Sequence, residues 1–194
     1  HALAWQIHQS LPEASLRLEY RPPGVGGSLY VDLWVEYEGV CTAVELKYRT
    51  RKLERDVHGE SFSLRNQFAH PIGRYGFLKD IERLECIVCA NRGTRGYALL
   101  LTNDPPFWEP PRSKSTIVDP MFRLHEGREI SGTLEWDPST GVGTKRKKEK
   151  AICLANAYSM AWASYSHISD GAAGVFKYLL LPVAPIGDAR PSAS

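Results

Sequence analysis

Residues 30–48 read YVDLWVEYEGVCTAVELKY, and the alternation within them sets the fold. On either side of Glu38-Gly39, apolar and β-branched side chains recur at every second position. That is the signature of two extended strands, because side chains of a strand point alternately to its two faces. A two-residue connection ending in glycine suits the tight hairpin whose twist matches its strands. Folding the segment at Gly39 brings Asp32 close to Glu45 across the pair, and it places Glu45 and Lys47 on one face. Leu33, Val35, Val44 and Leu46 fill one register, while Asp32, Glu45 and Lys47 occupy the other and interrupt a face that would otherwise be apolar. Carboxylates held together repel unless a cation neutralises them, and hard oxygen ligands suit Mg²⁺. The plainer reading is a strand-edge acid beside a surface Glu–Lys pair.

Working outward, HALAWQIHQSL (residues 1–11) sets Leu3, Ile7 and Leu11 on one helical face before Pro12 ends the run. SLRLEY (residues 15–20) alternates as a half-buried strand, and RPPGVGGS (residues 21–28) is a turn or loop. From Pro71 to Val88, a proline suited to the first helical turn precedes Ile72, Tyr75, Leu78, Ile81, Leu84, Glu85 and Val88 near helical spacing. GYALLLTND (residues 96–104) is a short apolar run opening into a loop, which predicts a buried strand. The order over residues 1–104 is therefore αβββαβ.

Residues 105–194 are expected to form a β-rich C-terminal extension packed on the same domain. In it, DPMFRLHEG (residues 119–127) predicts a short helix capped by Asp119. ISGTLEW (residues 130–136) and GVFKYLLLPV (residues 174–183) predict strands, and CLANAYSMAWASYS (residues 153–166) fits either period. GVGTKRKKEK (residues 141–150) is a glycine-flanked basic run, expected as a mobile, solvated loop. No internal repeat is present.

A chain of 194 residues with 43% apolar side chains is long enough for one domain with a substantial core. Its 24 basic and 22 acidic residues leave a net charge of +2, too little to argue for nucleic acid from bulk charge. No apolar run long enough to span a membrane and no secretory signal is found, so no membrane partner and a cytoplasmic location are expected. The four cysteines are Cys41, Cys86, Cys89 and Cys153. The single CxxC at Cys86–Cys89 has no second pair at zinc spacing, so buried, reduced thiols are expected. His8, His58, His70, His125 and His167 show no ligand spacing, and the tryptophans are expected to pack cores rather than stack on bases.

The stretch YVDLWVEYEGVCTAVELKY closely resembles the PD-(D/E)xK nuclease superfamily, with Val31-Asp32 as the "PD" half and Glu45-Leu46-Lys47 as the "(D/E)xK" half. The αβββαβ order resembles its restriction-endonuclease-like α/β core, a mixed central sheet flanked by helices. The resemblance implies that Asp32 and Glu45 bind Mg²⁺, with Mn²⁺ as substitute, that the Leu46 carbonyl is a further ligand, and that Lys47 is the catalytic lysine. Gln67 resembles the glutamine that some branches place near the metal-bound water, although Tyr75, eight residues on, departs from the usual spacing. Many members also carry an acid on the first helix. None lies between His1 and Leu11, so that acid is expected before His1 or replaced by Glu19, with Glu13 a weaker substitute.

Arg74, Lys79 and Arg83 share one side of the second helix, and with Lys145, Arg146, Lys147 and Lys148 they are candidates for phosphate contact. Solvated charge is the plainer reading of both sets. The expected function is a Mg²⁺-dependent DNA endonuclease of restriction, defence or repair. A homodimer would suit cutting of both strands, though no dimer surface can be read. The alternatives are a nuclease-like module that binds nucleic acid or protein without activity, and metal-dependent action on RNA or a nucleotide.

Overall fold

A computed structural model describes residues 1–26, 29–57, 59–111, 117–169 and 171–185. His58, part of the 21–28 loop and the end of the C-terminal extension (residues 186–194) lie outside the described residues. In chain order the elements are α1 (Ala2–Ser10), β1 (Ser15–Tyr20), β2 (Val31–Tyr37), β3 (Val40–Arg49), β4 (Leu53–Val57), β5 (Glu60–Leu64), α2 (His70–Ala90) and β6 (Thr94–Thr102). They are followed by β7 (Glu129–Leu134), the four-residue α3 (Val142–Lys145), β8 (Ile152–Ser159), β9 (Trp162–His167) and β10 (Val175–Val183).

The β2–β3 reversal is the two-residue turn that the pattern predicts. Tyr37 pairs with Val40, and Glu38 and Gly39 both take left-handed backbone angles, φ 49° and 74°. Such a turn matches the right-handed twist of its strands. The six-stranded sheet has the order β1-β2-β3-β6-β10-β9 and is mixed, because β6 runs parallel to β3 while every other pair is antiparallel. Parallel neighbours need a crossover, and α2 supplies it. The ladder positions of β6 that face α2 are small or apolar, Ala98 opposite Glu45 and Leu100 opposite Lys47.

α2 is covered on two sides. It packs on β3 and β6 of the main sheet and on β8 of the separate β7–β8 ribbon. Phe77, Leu78, Ile81, Leu84 and Ile87 are fully buried. Glu85 is buried too, and its carboxylate accepts the Ala155 and Asn156 N–H groups, both at 2.9 Å, and the Tyr158 hydroxyl at 2.8 Å. A carboxylate in the apolar run is thus an anchor for the ribbon, and such bonds are what make its burial tolerable.

Several expectations are corrected. Cys86 and Cys89 are exposed rather than buried, because they fall on the strip of α2 that neither sheet covers. Asp119 does not cap a helix; it precedes a 3₁₀ turn, Pro120–Phe122, and its carboxylate goes to Arg74 and Arg123. Residues 153–166 resolve as strand, split between β8 and β9. The 141–150 run holds the short helix α3, and its later backbone is anchored, with Lys148 O accepting from Trp136 at 2.7 Å and Lys150 O from Tyr75 at 2.9 Å. The β4–β5 hairpin interrupts the αβββαβ order and had no counterpart in the sequence reading. Trp34, Trp108 and Trp136 are buried, but Trp5 on α1 is 64% exposed. Among the described residues no helix is long and apolar enough to cross a membrane.

Candidate functional site

The β2–β3 ladder pairs Leu33 with Val44, and one further step would oppose Asp32 to Glu45. Side-chain bonding replaces the ladder there: Asp32 Oδ2 accepts the Leu46 N–H at 2.6 Å. A strand donor that loses its neighbour must find another acceptor, and the carboxylate provides it. A residue in an extended strand directs its N–H and C=O to the same side, so the Leu46 carbonyl points toward β2 as well.

α2 closes this face of the sheet. Lys47 Nζ lies 2.6 Å from Asp80 Oδ2, Arg83 Nη2 pairs with Glu45 Oε1, and the same Arg83 atom is 3.5 Å from Asp80 Oδ1. The helix presents two glycines here, of which Gly73 is the tightly packed one. A Cβ on Gly76 would sit 4.0 Å from Lys47 Nζ, and one on Gly73 would sit 3.4 Å from Arg49 Nε and 3.1 Å from Phe107. Three carboxyl groups, Asp32, Glu45 and Asp80, therefore converge on two cations, Lys47 and Arg83. The cluster is half-open: Glu45 is 4% exposed, while the Lys47 and Arg83 side chains are 25% and 36% exposed.

Burial pushes the Glu45 carboxyl up to about 8, against the pull of Arg83 and with the help of Asp80 and Asp32. Burial also raises Asp80 above the usual carboxylate range, although Lys47 and Arg83 oppose it. For Arg83 burial acts downward, but Glu45, Asp80 and Asp32 outweigh it, and its affinity for the proton rises. Displaced acids held in one cluster are a recognised mark of functional sites, though structural ion pairs shift them too.

The other candidates scatter. Gln67 lies in the exposed loop before α2, and its backbone N–H is bonded to Thr50 O at 2.8 Å; no bond joins its side chain to the cluster among the described residues. Arg74 is only 2% exposed and donates from Nε to Asp119 Oδ2 at 2.6 Å, so its expected phosphate contact has no open surface to act from. Lys79 pairs with Glu82. The segment with Lys145, Arg146, Lys147 and Lys148 is tied to Tyr75, which sits about 140° around α2 from Asp80, so it occupies another flank of the helix.

Glu19 is the more informative of the two substitute acids. It falls opposite Asp32 where the β1–β2 ladder skips a pair, and its φ is 47°. A left-handed non-glycine residue costs roughly 1–2 kcal/mol and tends to gather at functional sites. Glu13 is exposed in the turn after α1.

Asp80 was missed by sequence reasoning, as was the part Arg83 plays. The signal was present: Asp80 stands between Phe77 and Leu84 on the buried stripe of α2, where only a partnered carboxylate belongs. At the N-terminal end of the same helix, a cavity of about 620 Å³ is bordered by Arg51, His70, Arg74, Asp119 and Arg123. Within it, Asp119 pairs with Arg74 and Arg123, and His70 Nε2 lies 2.5 Å from Asp104 Oδ2.

Among the described residues, no three His, Cys, Asp or Glu side chains are gathered as they stand into a group that could hold a metal ion. Comparison with protein-family models, with curated proteins and with solved structures finds no match to this chain.

Proposed function

We propose that the chain is a metal-dependent nuclease of the PD-(D/E)xK type that hydrolyses phosphodiester bonds, with DNA as its substrate. The observation that carries this reading is the convergence of Asp32, Glu45 and Lys47 beside Asp80, on two strands whose ladder ends at that point. The order β1-β2-β3 followed by a helical crossover to a parallel β6 supports a restriction-endonuclease-like core, with β4–β5 as an insertion.

The donor set suits a hard divalent cation. Asp32, Glu45 and the Leu46 carbonyl are oxygen ligands, and Mg²⁺ is content with one or two carboxylates while keeping several waters. Glu45 is the fit test: a buried carboxyl with two acidic neighbours, offset directly by one guanidinium, favours exchange of its proton for a cation. Mg²⁺, or Mn²⁺ in its place, would be held there and would supply a more acidic water and neutralisation of charge developing on the phosphate. Arg83 must release Glu45 for that to happen, and its 36% exposure leaves it room to turn outward. Asp80 orients the Lys47 ammonium toward the cluster, where it can position a water for attack. Glu19, opposite Asp32, stands where a third acid would act.

A second reading is favoured by one observation. Arg83 and Lys47 already neutralise most of the carboxylate charge, as they would in a module that keeps the fold and binds without cutting. The deciding experiment is cleavage of plasmid, linear and single-stranded DNA in Mg²⁺ or Mn²⁺, with EDTA controls, by the wild type, Asp32→Ala and Lys47→Ala. Metal-dependent cutting lost in both variants is expected. No cutting, together with no metal binding by calorimetry, would sink the hydrolytic reading and leave the binding module.

A further inference from the structure

Between β3 and α2 the chain makes the two-stranded β4–β5 ribbon, whose base is firmly fastened. Leu53 is 9% exposed, Thr50 Oγ1 donates to Arg65 O at 2.6 Å, and the Asn103 side chain brackets Arg51, accepting from its N–H at 2.7 Å and donating to its carbonyl at 3.2 Å. Beyond the base, every described side chain from Glu54 to Ser63 is exposed. A lone two-stranded hairpin is marginal in water, so a ribbon held out from an anchored base is suited to gripping something else.

The register separates two unlike faces. Leu53 opposes Leu64 and Arg55 opposes Phe62 on one face, which Glu60 shares at the turn end; Glu54 opposes Ser63 and Asp56 opposes Ser61 on the other. The first face thus carries a cation beside an aromatic ring that is 48% exposed. The return strand leads through Arg65 to Phe68, which is 75% exposed. Neither Arg55 nor Arg65 forms a side-chain ion pair among the described residues, in contrast to Lys52, which is 3.0 Å from Glu54. The ribbon also leaves the sheet beside the carboxylate cluster. Thr50 follows Lys47 by three residues, roughly 10 Å along an extended chain.

We propose that the β4–β5 ribbon is a nucleic-acid-gripping arm, with Arg55 and Arg65 on backbone phosphates and Phe62 and Phe68 stacked on unpaired bases. The proposal rests on the nucleolytic reading of the neighbouring cluster for the kind of partner. Arginine beside an exposed ring matches the two demands of a single strand, a polyanionic backbone and flat bases, and the acid that shares this face, Glu60, stands at the turn end of the ribbon. Glu54 and Asp56 are turned to the other face.

The test is fluorescence anisotropy with labelled single-stranded and duplex oligonucleotides in EDTA, where no hydrolysis occurs. Arg55→Ala/Arg65→Ala is expected to weaken single-strand binding at least about tenfold and to lower the salt slope by roughly 1.4. Phe62→Ala/Phe68→Ala is expected to lose a similar factor and to abolish any preference for single strands over duplex. The control Arg92→Ala/Arg95→Ala, exposed at the opposite end of β6, should bind as the wild type does. All four ribbon side chains are exposed, so thermal unfolding should be unchanged and binding loss cannot be blamed on misfolding. Wild-type affinity in the ribbon variants, equal loss in the control, or no oligonucleotide binding by the wild type would overturn the arm. Ribbon-dependent binding without metal-dependent cleavage sinks the hydrolytic reading alone, whereas cleavage with ribbon-independent binding sinks the arm alone.

Discussion

α2 carries two ion-pair clusters about two helical turns apart, and they are built to opposite ends. At Arg74 the guanidinium is 2% exposed, bonded to a fully buried Asp119 at 2.6 Å and to Pro106 O at 3.3 Å, and it lies 5.8 Å over the Phe107 ring. At Asp80 and Arg83 the cations reach solvent, the carboxyls outnumber them, and the acids are pushed upward by burial. The first cluster joins α2 to the C-terminal extension and has nothing to exchange. The second holds an excess of acid under a cation that can leave, which is the condition for taking up another cation. Burial and pairing therefore separate a closed ion pair from an exchangeable one along one helix.

The largest test of that contrast is Asp119→Ala, which leaves Arg74 buried without its counter-charge. A loss of about 3–5 kcal/mol in urea unfolding is expected, with cleavage per folded molecule retained; a loss under about 1 kcal/mol would show that the cluster is not the fastening described. Lys47→Ala should do the reverse, lowering the cleavage rate by roughly 10²–10³-fold while shifting the unfolding midpoint little. Equal damage to stability would move Lys47 from the functional cluster to the structural one.

Titration sharpens the comparison next. Glu45 is raised from 4.5 to about 8 on folding, so the folded state binds its proton more tightly. The stability this contributes is fully present below pH 4.5 and is lost as pH rises through about 8. Metal-free protein should thus lose up to roughly 1.4 kcal/mol per pH unit across that window, and Asp80, raised in the same direction, adds to it. Glu45→Gln should flatten the slope, and Mg²⁺ should raise the melting temperature more at pH 8 than at pH 6. A slope unchanged in Glu45→Gln would remove Glu45 as its source. The smallest effect is expected from Arg83→Ala: metal affinity by calorimetry should rise by up to about tenfold as a competing cation disappears. Weaker binding would instead make Arg83 part of the metal-binding state.

Much of the fold was legible because it is written in local periods. The β2–β3 hairpin follows from alternation about Glu38-Gly39, and α2 from apolar spacing after Pro71. The β4–β5 ribbon was not legible, since LERDV and ESFSL are five residues each and their apolar positions share a face with Arg55 and Glu60; an exposed ribbon has no continuous apolar face to mark a strand. Residues 153–166 stayed ambiguous until β8 found Glu85 and β9 found β10, partners distant in the chain.

For the candidate site, the sequence by itself determined that Asp32 lies near Glu45 and Lys47, because a two-residue turn sets the register and side chains alternate. Only the tertiary structure decided that Asp80 and Arg83 complete the cluster and that Arg74 does not join it. All three lie on one helix, and nothing in its spacing says which residues meet a strand bearing carboxylates and which meet a buried aspartate almost fifty residues away. That choice belongs to the docking of α2 across β3, where a side chain at Gly73 would crowd Phe107.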